Sequence, residues 1–402
     1  MISVDKAIQI VLKKVKTLPT KKVPLQNAQG LCLAENIKTD IDMPPFNRAA
    51  MDGYAVIAKN TTKIPVDLVV VENIRAGYNP KKTIRNGEAA KIMTGSVVPE
   101  GADAVIKVEE TMPCDSNSRV RILKTIKKGG NIAKKGEDLR AGKIVLRKGA
   151  KIRPPEIGVL ATVGADKVQV FSVPSVGIIS TGDELVSVAE KPKPWQIRNS
   201  NSYSLAAQAR RTIGDVEILG IARDQKSKIR SLVLRGLKKD ILILSGGVSM
   251  GEYDLVGEVL KDLGITIFFE KVALRPGKPT VFGKIGEKVI FALPGNPVST
   301  MVTFELFVRP CIKKMMGFQD YHNRIFSAEL EQDITMKKKR REYRPALLRY
   351  MEKKWMVAPV DWHGSGDLFS TTKANCLLII GEDAERFTVG DMVEVMLIDD
   401  FS

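Results

Sequence analysis

Ile241-Leu242-Ile243-Leu244-Ser245-Gly246-Gly247-Val248-Ser249-Met250-Gly251-Glu252-Tyr253-Asp254 carries four apolar residues straight into a glycine turn. The same grammar recurs on both sides. Upstream, Val176–Ile179 runs into Ser180-Thr181-Gly182-Asp183-Glu184-Leu185; downstream, Val289–Leu293 runs into Pro294-Gly295-Asn296-Pro297-Val298-Ser299. Between them lies Arg275-Pro276-Gly277-Lys278-Pro279. Helical patterns over Ser202–Thr212, Lys226–Leu237 and Leu255–Leu263 alternate with strand-like Val216–Ile221 and Ile265–Phe269, while Thr280–Gly283 and Val289–Leu293, joined through Ile285-Gly286-Glu287, read as a hairpin entering the last turn. Strand–helix alternation at this spacing predicts a doubly wound α/β domain over 173–318, its sheet parallel with helices on both faces. In such a sheet, ligands bind in the crevice outside the carboxyl ends of the strands, where these turns gather.

Outward from this domain the pattern changes. Met1–Lys16 places Val4, Ala7, Ile8, Val11, Leu12 and Val15 on one helical face, an amphipathic helix for packing on the protein or on a partner subunit. Short β-type runs such as Tyr54–Ile57, Val66–Val71 and Ala104–Val108, separated by Gly, Asn and Pro, predict an inserted β-rich module over 46–138. Lys143–Leu146 and Val159–Val170 read as short extended pieces, and Ser200-Asn201-Ser202 as N-cap material for the following helix. Tyr343–Tyr350, Trp355–Pro359, Cys376–Ile380 and Met392–Leu397 predict a small terminal barrel or sandwich over 325–402.

The 402 residues give ample core for two to four domains, and 63 Lys+Arg against 46 Asp+Glu leave a formal net charge of +17. That field attracts polyanions such as nucleotides, phosphorylated cofactors and oxyanions, and equally describes a solvated lysine-rich surface. Four separated cysteines, with no C-x-x-C pair, fit a reducing cytoplasm and argue against a zinc knuckle or disulfide framework. Two histidines exclude a histidine-rich metal site, and no apolar run reaches the ~18 residues of a membrane span. Nucleic acid is not an expected partner: aromatics make up 6% of the chain, with no aromatic–basic array around the basic run Lys337–Arg341.

The turns carry the chemistry. Asn296-Pro297 is an N-cap followed by proline at the first position of an expected helix Val298–Met316; taken alone it reads as a tight, well-capped helix start without a ligand, while beside Gly295 its first-turn N–H groups and the Ser299 hydroxyl also suit an oxyanion. Arg275 supplies a planar fork and Lys278 a point charge from one stiff turn. Ser245-Gly246-Gly247-Val248-Ser249 resembles phosphate-cradling turns without being a Walker loop. Asp183, Glu184, Asp224 and Asp254 stand at strand ends or helix starts. As a set they suit Mg²⁺ against a phosphate, or one of them a general base; singly, Asp183 and Asp254 read equally as helix caps. Asp52, Thr94 and Asp138 sit in turn sequences of the inserted module.

Pro45-Phe46, Ala49–Ala55, Ile92-Met93-Thr94-Gly95, Gly101-Ala102-Asp103, Gly136-Glu137-Asp138, Ser180–Leu185, Ser245–Asp254, Pro276–Pro279 and Pro294–Ser299 together resemble the molybdopterin molybdenumtransferase family, the MoeA type also found as the E domain of gephyrin. The likeness runs over nearly the whole chain in the family's order. It implies an elongated homodimer of four-domain subunits, with a helical base from 1–45 and 139–172, the inserted β domain, the α/β domain and a terminal β-barrel. The implied chemistry is insertion of molybdate into adenylylated molybdopterin with release of AMP and dependence on Mg²⁺, and other proteins of cofactor synthesis are possible partners. By motif, Asp224 and Asp254 would hold the metal and, with Asp183 and Glu184, serve catalysis. Arg275, Lys278, Pro279, Ser299, Arg340 and Ser365 would line the molybdate pocket. Asp52, Thr94, Asp138, Ser245, Gly246, Gly247, Ser249, Gly295, Asn296 and Pro297 would bind the substrate, the first three from the other subunit. The chain departs from the family at Arg275, commonly Lys, and at Ala49, often Ser. Adenylyl transfer to molybdopterin is the runner-up, since that fold shares the Ser-Gly-Gly-Val-Ser type of turn; a cofactor-binding scaffold without turnover is the third reading.

Overall fold

The computed structural model describes residues 1–115, 118–212, 215–248, 255–335 and 340–398, which form two compact units. One contains Met1–Ala34, Gly149–Ile152 and the chain from Lys167 onward; the other contains Glu35–Lys148 and Arg153–Asp166.

In the larger unit, helix α1 (Val4–Lys14) opens on Ser3, whose hydroxyl accepts from the Lys6 N–H at 3.2 Å. The central sheet takes strands β1 (Val176–Thr181), β2 (Val216–Ala222), β3 (Ile241–Ser245), β4 (Thr266–Lys271), β6 (Pro279–Ile285) and β7 (Lys288–Leu293), with the two-residue β5 (Leu274–Arg275) outside it. Their spatial order is β2-β1-β3-β7-β6-β4. The first three pairings are parallel, while β7–β6 and β6–β4 are antiparallel, so the sheet is mixed rather than all parallel. The reason is local: Gly286, at φ +55°, and Glu287 turn β6 directly back into β7, too short a connection for a crossover.

Helices α2 (Asn201–Arg210), α3 (Lys226–Gly236) and α4 (Leu255–Asp262) are followed by α5 (Pro297–Thr303) and α6 (Arg309–Met315). They cover both faces, and adjacent strand residues feed opposite cores. Ile178, Ile243 and Phe291 pack with α1, α2 and α5, whereas Ile179, Leu242 and Ile290 pack with α3 and α4. Helix α1 therefore buries Val4, Ala7 and Val11 in the core of its own α/β domain. The single helix expected over Val298–Met316 is interrupted by a π turn at Phe304–Val308. Pro310 has no N–H to offer the ladder, and the wider turn just before it absorbs the break.

The terminal segment is a closed barrel of β8 (Ile325–Leu330), β9 (Arg341–Met351), β10 (Lys354–Pro359), β11 (Cys376–Ile380) and β12 (Met392–Leu397). Closure runs β9–β10–β8–β12–β11 and back to β9, leaving no free edge among these strands. Strand β9 also extends to β5 in parallel, opposing Leu274 to Arg341 and Arg275 to Glu342.

The smaller unit is built on a six-stranded sheet in the order Ala104–Lys107, Gly53–Val56, Glu88–Ile92, Val66–Ile74, Arg119–Ile122, Thr111–Cys114. Only a glycine fits at 53, because a Cβ there would lie 1.8 Å from the Ile106 carbonyl oxygen. Part of the segment read as extended, Val159–Val170, is instead the end of a helix, Pro154–Thr162, with a strand at Lys167–Phe171. Prolines at its first positions need no N–H partners, and Glu156 reaches back to accept from the Arg153 N–H at 2.9 Å.

Candidate functional site

The turns after β1, β3 and β7 meet where the strand order reverses around β1 and β3, the position where open α/β sheets bind ligands. At the second turn the approach is close enough to require glycine. Gly246 (φ +93°) passes so near β1 that a Cβ would sit 2.6 Å from the Thr181 carbonyl oxygen; at Gly247 (φ +65°) it would sit 2.6 Å from Val256 Cγ2. Gly295 comes from the third turn, and a Cβ on it would lie 3.5 Å from Gly246 Cα. The Gly246 N–H donates to the Leu293 carbonyl at 3.1 Å, and the Ser245 hydroxyl to Pro294 O at 3.4 Å. Ser245 and that N–H thus frame the site from within, while Ser249 lies outside the described residues.

The residue that ties the turns together was hidden in the cap sequence. Ser200 makes no side-chain cap bond; Asn199 Oδ1 accepts from the Ser202 N–H at 3.2 Å instead. Asn201 Nδ2 donates to Ser245 Oγ at 2.9 Å and to the Gly295 carbonyl at 2.7 Å, joining the start of α2 to the second and third turns. Asn201 Oδ1 and Thr181 Oγ1 are buried without hydrogen-bond partners among the described residues. Cap propensity explains an asparagine here without using its tertiary bonds, so no sequence signal separated the two roles. Truncation in Asn201→Ala leaves the buried Ser245 hydroxyl without its donor and unties the Gly295 carbonyl, and is expected to cost about 1–3 kcal/mol, read as a lower denaturant midpoint. A midpoint within error of wild type would show that the tie is dispensable.

On the β1–β2 side, two carboxylates clasp each other's backbone. The Asp183 N–H donates to Asp224 Oδ2 at 3.2 Å and the Asp224 N–H to Asp183 Oδ1 at 3.1 Å. Arg223 Nη1 secures the loop by donating to the Asp183 carbonyl at 2.7 Å. Glu184 is exposed and folds back over Gly182 (φ +147°), where a Cβ would meet its Oε2 at 2.3 Å. Asp183, Glu184 and Asp224 are therefore brought together, while Asp254 lies outside the described residues. Among the described residues no three His, Cys, Asp or Glu side chains form a ready metal cage.

The cation turn is fixed from two directions. Gly277 (φ +118°) presses on α5, where a Cβ would lie 2.7 Å from Thr303 Cγ2. Arg275 is half exposed and its Nη1 lies 3.5 Å from Glu342 Oε2, a carboxylate buried in the barrel strand β9. Lys278 is exposed and has no ion pair among the described residues, and Pro279 beside it begins β6. Arg340 turns to the backbone, donating from Nη1 to the Leu274 carbonyl at 3.1 Å. Of the basic run, Lys337–Lys339 lie outside the described residues.

At the start of α5 the expectation of bare N–H groups is corrected. The Val298 N–H donates to the Ser365 carbonyl at 3.1 Å, and Asn296 makes no side-chain cap bond. Asn296 Nδ2 instead donates to Ser365 Oγ at 2.7 Å, so the barrel loop seals the helix start, with Pro297 at the first helical position and Ser299 4% exposed. That loop is held by Asp367, whose carboxyl is drawn below its usual range by the N–H groups of His363 and Ser370. Only the family resemblance pointed to Ser365, since a barrel turn and a helix start 69 residues away share no local pattern.

In the smaller unit, Asp52 Oδ1 accepts from the Thr94 N–H at 2.6 Å and its hydroxyl at 2.8 Å. Those two bonds, the backbone one first, lower the Asp52 pKa. Asp138 lines an open cleft of about 750 Å³ together with the cations Lys38, Arg140, Lys143 and Arg147.

A doubly wound domain with converging glycine turns, a carboxylate pair and a cation turn defines an α/β protein with its crevice at the strand ends, where open α/β sheets bind ligands. The family models that match are the MoeA N-terminal region (domain I and II) over residues 2–164, a probable molybdopterin binding domain over 177–314, and the MoeA C-terminal region (domain IV) over 327–398. The molybdopterin molybdenumtransferase of Bacillus subtilis (strain 168) is 35% identical over 404 residues, 99% of this chain and 94% of that protein. That of Staphylococcus epidermidis is 33% identical over 98% of this chain and 95% of its own length. A crystal structure of the molybdopterin biosynthesis MoeA protein from Pyrococcus horikoshii OT3 superposes with TM-score 0.84 at 33% identity, covering 99% of this chain and 100% of that one. The chain belongs to the MoeA family of molybdopterin molybdenumtransferases. The match extends to both sides of the central domain, which disfavours the adenylyltransferase alternative.

Proposed function

We propose that this protein is a transferase of molybdenum cofactor biosynthesis that inserts molybdate into adenylylated molybdopterin and releases AMP. The observation that carries the reading is the joining of the turns after β3 and β7 by Asn201, with the turn after β1 packed on Gly246, the Ser365 loop at the start of α5 and the cation turn against its end. The full-length likeness to named molybdenumtransferases supports it.

In this reading the glycine turns, Gly246-Gly247 and Gly295-Asn296-Pro297, give the phosphate bridge room to approach, with Ser245 holding them and Ser249 continuing the loop. Molybdate lies on Arg275 and Lys278, bounded by Pro279, Ser299 and Ser365, with Arg340 bracing the backbone of the cation turn. Asp183 and Asp224 each keep one carboxylate oxygen outside the clasp, a donor pair that fits Mg²⁺, which usually takes one or two carboxylates and completes its shell with water and phosphate. Asp254 would join them. Bound there, the ion would neutralise charge on the phosphate bridge. Glu184, exposed beside the clasp, accepts a proton from the water that attacks the AMP phosphorus; the water oxygen stays on AMP and the bridging oxygen leaves with the pterin phosphate. Asp52, Thr94 and Asp138 bind substrate from the smaller unit of the second subunit of a homodimer, and other proteins of cofactor synthesis hand the substrate on. Four free cysteines support a cytoplasmic setting.

The test is direct. Purified protein supplied with adenylylated molybdopterin, molybdate and Mg²⁺ is expected to yield AMP and active cofactor. If the substrate stays intact and no AMP appears, the proposal fails.

A further inference from the structure

The carboxylate of Glu342 is 4% exposed, in strand β9 of the barrel, and is shared unequally between two guanidinium groups. Arg344 takes one oxygen, donating from Nε at 3.1 Å and from Nη2 at 3.0 Å to Oε1. The other, Oε2, stands 3.5 Å from Arg275 Nη1. Strand register places Glu342 opposite Arg275 in the β5–β9 pairing, and Arg340, two residues before Glu342, holds the neighbouring Leu274 carbonyl. A half-exposed arginine at a turn would otherwise sample many rotamers, and the turn itself packs on α5 through Gly277. A buried carboxylate is costly unless paired, and this one is paired to a residue of another domain at the anion site.

We propose that Glu342 is a positioning residue: it holds one edge of the Arg275 guanidinium so that its remaining N–H groups face a tetrahedral oxyanion, making the barrel part of the anion pocket. The inference rests on the reading of Arg275 as an oxyanion ligand. Two effects of Glu342 oppose each other. Its negative charge repels a dianion, while its hold on Arg275 prepays the ordering of the fork. Arg344 sits on the same carboxylate and compensates its charge, so orientation prevails. The sign of a charge-removing substitution therefore separates the two effects.

The experiment is calorimetric titration of molybdate into the intact protein, without the nucleotide substrate, for wild type, Arg275→Ala, Arg275→Lys, Glu342→Gln, Glu342→Asp and the double variant Arg275→Lys/Glu342→Gln. Glu342→Gln is expected to weaken binding roughly tenfold, the scale on which lost orienting partners act. Glu342→Asp, which keeps the charge but withdraws it by one methylene, is expected to fall between Gln and wild type. In the Arg275→Lys background, which lacks a planar fork to aim, Glu342→Gln is expected to add no further loss. Binding that is absent in wild type or unchanged in Arg275→Ala would remove the anion reading of the turn itself. If Arg275→Ala weakens binding but Glu342→Gln and Glu342→Asp bind as well as wild type or better, the positioning role is overturned. So it is if Glu342→Gln costs as much in the Arg275→Lys background as in the wild type, because Glu342 would then act on the fold at large.

Discussion

Replacing Glu184 with Gln is expected to lower the rate of AMP release by about 10²–10⁴-fold, the range that a positioned proton acceptor contributes. The substitution keeps the size of the side chain and removes its basicity. Glu184 is exposed, and its backbone carbonyl, which accepts from the Ile197 N–H at 2.9 Å, anchors the loop independently of the side chain. Substrate affinity should therefore move much less than turnover, so the loss appears in kcat. Single-turnover AMP release at saturating substrate is the measurement. A Glu184→Gln protein that turns over at the wild-type rate would transfer the proton-accepting role elsewhere and leave Glu184 as part of the loop's shape. The same result in cells would favour a scaffold that does not turn over.

The second large effect is structural and should reach the site through the sheet. Phe291 is fully buried in β7, its ring 5.2 Å from that of Phe282, which in turn lies 5.6 Å from both Phe268 and Phe269. Phe291→Ala is expected to cost about 3–5 kcal/mol, since the lost transfer energy adds to a cavity that a clamped central strand cannot collapse into. Phe291→Leu, which keeps most of the volume, should cost far less. The urea midpoint of the larger unit reads both, and near-equal midpoints would show that the aromatic cluster is not holding the sheet. Because β7 runs directly into Pro294–Pro297, the Ala variant should also loosen the turn that packs on Gly246.

Much of this was legible in order along the chain. The strand and helix positions of the α/β domain followed from apolar runs alternating with helical patterns, and the barrel strands from their spacing. Failures came where local rules are outvoted. Val159–Val170 read as short extended pieces, yet its first residues end a helix that starts at Pro154, and Pro310 bends a helix into a π turn that periodicity cannot show. Asn201 looked like a cap because asparagine caps helices in isolation; here Asn199 does that work and Asn201 reaches two other turns.

The sequence by itself determined the chemistry available: glycines wherever backbones must approach within a Cβ's reach, paired cations around Pro276-Gly277, carboxylates at strand ends, and the family to which they belong. Each is a property of residue type at a local position, and local sterics and charge are written residue by residue. Only the tertiary structure decided who faces whom. It closed the α5 N–H of Val298 with Ser365, turned Asp183 and Asp224 onto each other's backbone, and set Glu342 behind Arg275. Those pairings join residues far apart in the chain, and they exist because the sheet and barrel cores bring distant loops together, at a cost in chain entropy that no local pattern records.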